Sequence, residues 1–161
     1  MLYFSKVQMY LVTFILFFVF ACTEKKPFIR LEKPDVAKGR LYVIRPIDSI
    51  LAIWSYEFCL EKFKGHFKNN QERETIASFE LENGHFFTED LEEGFYRLSL
   101  SSKPNVEKIF RIEKGKSIFF RFMIFNEKEI SIPDFFIREI SESEALSDLL
   151  ENEHLNETRK K

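Results

Sequence analysis

Cysteine and histidine are scarce in this chain, with two of the first and three of the second in 161 residues. Cys22 and Cys59 are too few for a disulfide framework, and once Cys22 is assigned to an anchor Cys59 has no partner, so the fold must stand without a staple. His66, His85 and His154 lie far apart, with no His-x-x-x-His and no Cys-x-x-Cys nearby, so the spacing writes no zinc site. A site built from His66, His85 and Cys59 would need separate segments to converge. Neither a metal nor another cofactor is expected, and Cys59 reads as the filler of a small strand position.

A surplus of positive charge is missing as well. The 24 Lys and Arg against 26 Asp and Glu give a formal net charge of −2. Nothing in that balance neutralises phosphates, so no nucleic-acid partner is expected. The chain also lacks a Gly-x-Ser-x-Gly elbow, a phosphate-binding loop and a dinucleotide fingerprint. Its acidic pairs, Glu89-Asp90 and Glu92-Glu93, could in principle supply a general acid and base. They read as turn residues, and solvated carboxylates keep ordinary pKa values, whereas acid–base work needs them shifted. The expectation is a non-enzymatic binding or structural module. The alternative is an envelope hydrolase or small-ligand binder, which would show as a buried pocket lined by His85 and several carboxylates.

Long apolar runs are absent except for one, Val7–Ala21, which follows a lone Lys6. A basic start, an h-region of 15 residues and the small Ala21 describe a secretory signal. A spanning helix wants roughly 20 apolar residues, so an uncleaved membrane helix is the weaker alternative. Directly after the run stands Cys22, followed by the charged Thr23-Glu24-Lys25-Lys26-Pro27. The tetrad Val19-Phe20-Ala21-Cys22 resembles a bacterial lipobox, in which the cysteine is acylated and becomes the N-terminus. That resemblance implies up to three acyl chains on Cys22, and two already hold a protein stably on a bilayer. The expected location is the bacterial cell envelope, lipid-anchored at its periplasmic face or at the cell surface.

Downstream the chain divides into a flexible tether rich in Lys, Glu and Pro (22–37), one folded domain (38–151) and a polar, frayed tail (152–161), with residues 1–21 as the signal peptide. The domain reads as short β-segments. Arg40–Arg45 is β-branched and aromatic, and Pro46 closes it. Ile50 to Phe58, apolar on both faces, suits a buried strand. The charged stretch Glu61 to Glu74 reads as a loop or widened hairpin. Thr75–Leu81 and His85–Thr88 flank Asn83-Gly84, the dipeptide of a type I′ hairpin. Phe95–Leu100, Lys108–Ile112 and Ser117–Phe125 follow. The last is apolar on both faces, so it is either covered on both sides or leaves Phe119, Met123 and Phe125 as a contact face for a protein partner. Ser141-Glu142-Ser143-Glu144 is a capping box, with Leu146, Leu149 and Leu150 as the stripe of one short C-terminal helix. Of the 20 phenylalanines several lie in the signal, and the others read as core payload. This pattern predicts an all-β chain, an antiparallel β-sandwich.

Four segments carry a resemblance to an uncharacterised family of small bacterial lipoproteins with an exported domain of unknown function. They are Gly39-Arg40-Leu41-Tyr42-Val43-Ile44-Arg45-Pro46, Leu81-Glu82-Asn83-Gly84-His85-Phe86, Gly94-Phe95-Tyr96-Arg97-Leu98 and Glu113-Lys114-Gly115-Lys116-Ser117-Ile118-Phe119-Phe120-Arg121. The resemblance implies an Ig-like or transthyretin-like sandwich and no activity.

Overall fold

A computed structural model describes residues 26–27, 30–65, 72–125, 132–151 and 155–161. The expected signal sequence (1–21), Cys22, His66 and His154 lie outside them. The elements are β1 (Lys26–Pro27), β2 (Gly39–Arg45), β3 (Tyr56–Phe63), β4 (Arg73–Leu81), β5 (His85–Leu91), β6 (Gly94–Leu100), β7 (Lys103–Ile112), β8 (Ser117–Phe125), β9 (Asp134–Ile140), α1 (Glu142–Glu151) and β10 (Asn156–Glu157). They form two sheets, one in the order β1-β10-β5-β2-β8-β9 and the other β4-β3-β6-β7.

The sandwich is not wholly antiparallel as expected. β2 runs parallel to β8, and β10 runs parallel to β5. Neither pairing is reachable by a tight turn: β2 and β8 are far apart in sequence, and β10 joins only after the helix.

Between the sheets lies the main core, and phenylalanine fills it. Phe79 is fully buried, stacked on Phe87 across the interior at 3.7 Å between ring centroids and on Phe58 at 5.4 Å. Phe58 meets Phe122 edge-on at 5.1 Å, so rings from both sheets interlock. Buried Tyr96 keeps its hydroxyl satisfied by donating to the Glu92 carbonyl at 2.8 Å, across the turn that carries the chain from β5 to β6.

A second core covers the outer face of the larger sheet. Tyr42, Ile44, Phe86, Phe119 and Ile140 meet Ala145 and Leu149 of α1, Leu155 beyond it and Leu31 before β2. The capping box forms as read: the Ser141 hydroxyl accepts from the Glu144 backbone N–H at 3.3 Å, and the Glu144 carboxylate accepts from the Ser141 N–H at 2.8 Å. The helix turns differently from the expected stripe, because Asp148 forms a bidentate pair with Arg121 of β8 at 2.6 and 2.8 Å. Ala145 and Leu149 face the sheet, while Leu150 is exposed.

The two ends of the chain also pack. Leu31 and Glu32 lie on this outer face, with the Glu32 N–H donating to the Tyr42 hydroxyl at 3.2 Å, so the folded part begins before residue 38. The tail read as frayed is held from Leu155, which is buried. β10 extends the larger sheet, and the Lys161 N–H then donates to the Ser78 carbonyl of the smaller sheet at 2.9 Å. The tail thus laces one open side of the sandwich, shielding strand edges that would otherwise be free.

The smaller sheet turns its other face to water. Arg97 donates to Glu61 at 2.9 Å and pairs with Glu107, and Lys62 reaches Glu92 at 2.6 Å.

Candidate functional site

The upper end of the sandwich, where β2 and β8 finish and β3, β5 and β9 begin, gathers the exposed apolar side chains. Its main loop, residues 46–55, carries the chain from one sheet to the other. The apolar run expected to begin a buried strand at Ile50 is this loop instead, and β3 starts only at Tyr56. Ile50 and Leu51 tuck against the core, but Ile53 is 90% exposed and Trp54 59% exposed.

Arg45 explains the shape. Its side chain points between the sheets, is 2% exposed, and donates to the carbonyls of Trp54 at 2.6 Å, Leu51 at 3.0 Å and Leu81 at 3.1 Å. The guanidinium also lies over the Tyr56 ring, 4.9 Å from its centroid. Burial pushes its pKa below the ordinary arginine value, yet it stays charged. One cation therefore gathers carbonyls from both sides of the loop, and Leu51 is held at φ 50°, a conformation that leucine rarely adopts. The backbone is drawn inward, so Ile53 and Trp54 are pushed out.

A second lock sits beside it. The Asn83 side chain accepts from the Asp48 N–H at 3.0 Å and donates to the Asp48 carbonyl at 2.9 Å, mimicking a strand pair. The hairpin expected at Asn83-Gly84 is overturned: β4 and β5 belong to different sheets, and the turn crosses between them. Asn83 lacks the positive φ that a type I′ turn demands; only Gly84 has it, at 70°. A Cβ on Gly84 would come within 2.8 Å of Ile47, so glycine is needed there for space as well.

The face predicted for a protein partner is divided. Phe119 is buried beneath α1 and stacked on Tyr42 at 5.0 Å, so it is unavailable; the helix is the cover that the two-faced strand required. Met123 is half-buried opposite exposed Phe136, and Phe125 is 54% exposed at the upper rim opposite Asp134, where exposed Ile132 leads into β9. Ile47, Met123 and Ile124 line a cleft of about 270 Å³ together with Arg45, Asp48, Arg121 and Asp148. That volume is below the roughly 300–1,000 Å³ usual for small-molecule pockets, and its Arg121–Asp148 pair is already engaged.

The remaining candidates are dispersed. His85 is buried on the larger sheet, its Nδ1 3.2 Å from the Asn83 carbonyl oxygen. Cys59 is half-buried on β3 of the smaller sheet, where burial and then the charge of Glu61 push its thiol pKa up. No group of three metal-capable side chains forms among the described residues. Of the acidic pairs, Glu89 and Asp90 lie within β5 rather than a turn. Glu89 pairs with Lys160 at 2.5 Å, and Arg111 meets Glu93 at 3.1 Å. Arg40 grips Asp90 through two bonds of 2.6 and 2.8 Å and, with them, holds its carboxyl below the usual range; Lys62 lowers Glu92 likewise.

Sequence reasoning missed Arg45, Trp54 and Asn83 as the makers of this end. The only signal was that Arg45 shares the inward-facing alternation of Leu41 and Val43, whereas Arg40 falls on the other face of the strand. The chain matches no family model, no curated protein and no solved structure.

Proposed function

We propose that this chain is a lipid-anchored module of the bacterial cell envelope, carried on acylated Cys22, which works by docking through its apolar upper end and not by catalysis. One observation carries the docking half. Of the ten large apolar side chains most exposed among the described residues, Ile47, Ile53, Trp54, Phe125 and Ile132 all belong to that end. Exposed apolar side chains scattered singly need no explanation, whereas a collected patch marks an interaction surface. The Arg45 and Asn83 locks support the same reading, because a preordered loop loses less entropy on binding.

The strand order supports a transthyretin-like sandwich over an Ig-like one. In Ig domains the first two full strands share a sheet. Here, after the two-residue β1, the first full strand β2 is central in one sheet, parallel to β8, and the next, β3, belongs to the other. The fold type by itself argues for no activity.

The anchor half rests on Lys6, the run Val7–Ala21 and Cys22. Its test is membrane fractionation of wild type and Cys22→Ser. The wild type is expected in the membrane fraction, resistant to alkaline washing and extracted by detergent, as the processed form. Cys22→Ser is expected to keep its leader. Processing and partition unchanged by Cys22→Ser would refute the lipid anchor. Protease shaving of intact against lysed cells then separates the cell surface from the periplasm.

A further inference from the structure

We infer that the upper end of the sandwich, led by Ile47, Ile53 and Trp54, is a bilayer-contacting surface that seats the domain on the membrane holding it. This rests on the anchor reading above and adds an orientation to it.

The argument starts at β1. Lys26 pairs with Glu157, Glu157 with Phe86, and Phe86 with Ile44, one residue from the upper end of β2. Cys22 precedes Lys26 by four residues, which span at most about 14 Å when fully extended. The lower end of β2, at Gly39, is five residues from Ile44, about 17 Å at ~3.4 Å per residue. The lower turns, at 92–93 and 113–116, lie beyond that level. A membrane that holds Cys22 therefore cannot meet the lower end, and the upper end, the laced side and the α1-covered face of the larger sheet remain.

Chemistry chooses among those three. The α1 face is acidic, with Glu142 and Glu151 exposed. The laced side carries the Lys160–Glu89 pair, and Lys161 pairs with Glu80 and Glu57 where that side meets the upper rim beside Trp54. Laying either surface on lipid would strip water from its ions, whereas Trp54 can meet the bilayer with the neighbouring ions left at headgroup level. The upper end offers isoleucines and the sole tryptophan of the chain, and tryptophan is the residue that settles at membrane–water interfaces. The two features are also physically joined. The Asn156 N–H of β10 donates to the Gly84 carbonyl at 3.2 Å, and Gly84 lies directly against Ile47. The strand paired with β1 therefore touches the same turn that supports the apolar loop.

Because Trp54 is the only tryptophan, its fluorescence reports the contact. The full chain, purified from membranes in its anchored form, is reconstituted into phosphatidylcholine vesicles with or without dibrominated acyl chains. The expected result is flotation with the vesicles, quenching of Trp54 by the brominated lipid, and quenching by aqueous acrylamide several-fold weaker than in the Ile47→Ser/Ile53→Ser variant in the same vesicles. In the Ile47→Ser/Ile53→Ser variant flotation should persist while acrylamide access returns. Vesicles that float with Trp54 still open to acrylamide and untouched by bromine overturn the inference and leave the anchor standing. Failure to float overturns both. Shielding of Trp54 in native membranes but not in pure lipid assigns the surface to a protein partner instead, and also overturns the inference.

Discussion

Replacing Arg45 with Met keeps a long, unbranched side chain in the sandwich wall and removes every hydrogen bond that the guanidinium donates. Three carbonyls lose their donor, those of Trp54 at 2.6 Å, Leu51 at 3.0 Å and Leu81 at 3.1 Å. The Leu81 carbonyl is the buried one, and leaving such a group unpaired costs about 1–3 kcal/mol. The other two are partly buried and can regain water if the loop opens, so each is worth about 1 kcal/mol. Against this stands relief of the guanidinium desolvation, which offsets part of the loss. The net expectation is a loss of about 3 kcal/mol, or a melting temperature lower by roughly 10 °C for a domain of this size. Urea titration followed by far-UV circular dichroism measures the loss, and Trp54 emission follows the loop independently, since its own carbonyl is one of the three acceptors. A variant within about 1 kcal/mol of wild type, with Trp54 emission unchanged, would refute the claim that Arg45 shapes the upper end.

Other consequences are equally direct. Phe79→Ala removes the ring at the centre of the interlocked stack and should cost about 3–5 kcal/mol by urea unfolding. Leu155→Ala should cost about 2–4 kcal/mol, whereas a frayed tail would show no change. Asp90 titrates below its ordinary value of 3.8 because Arg40 bonds its charged form, so its contribution is present above that pH and disappears as pH falls through the lower, folded-state value. Asp90→Asn should therefore lower stability by about 1 kcal/mol at neutral pH and flatten the acid limb of a stability–pH profile. A steeper acid limb in the variant would contradict that sign.

Local signals in the sequence were read well and non-local ones were not. The capping box at Ser141 and Glu144 needs only four residues, and it forms. The alternation of Ser117–Phe125 announced a strand with two apolar faces, but its cover, Ala145, Leu149 and Leu155, comes from later segments whose docking no periodicity encodes. Asn83-Gly84 looked like a hairpin because the dipeptide is a local turn signal. What it does depends on Asp48, 35 residues earlier, whose backbone pairs with the asparagine side chain. The run from Ile50 to Trp54 misled for the same reason: its apolar residues suggest burial, and a single buried cation from the preceding strand bends the backbone so that two of them face out. Parallel pairing of β2 with β8 is a further long-range choice. The upper end was thus illegible as a site, while the leader and the acylated Cys22 are proposals that rest on the sequence alone.

The account turns on what Cys22 carries. Mass spectrometry of the N-terminal peptide from detergent-extracted membranes should find a chain that begins at Cys22, heavier by a diacylglycerol and an N-linked acyl group. A peptide with a free thiol at that position, or with residues 1–21 still attached, would contradict it.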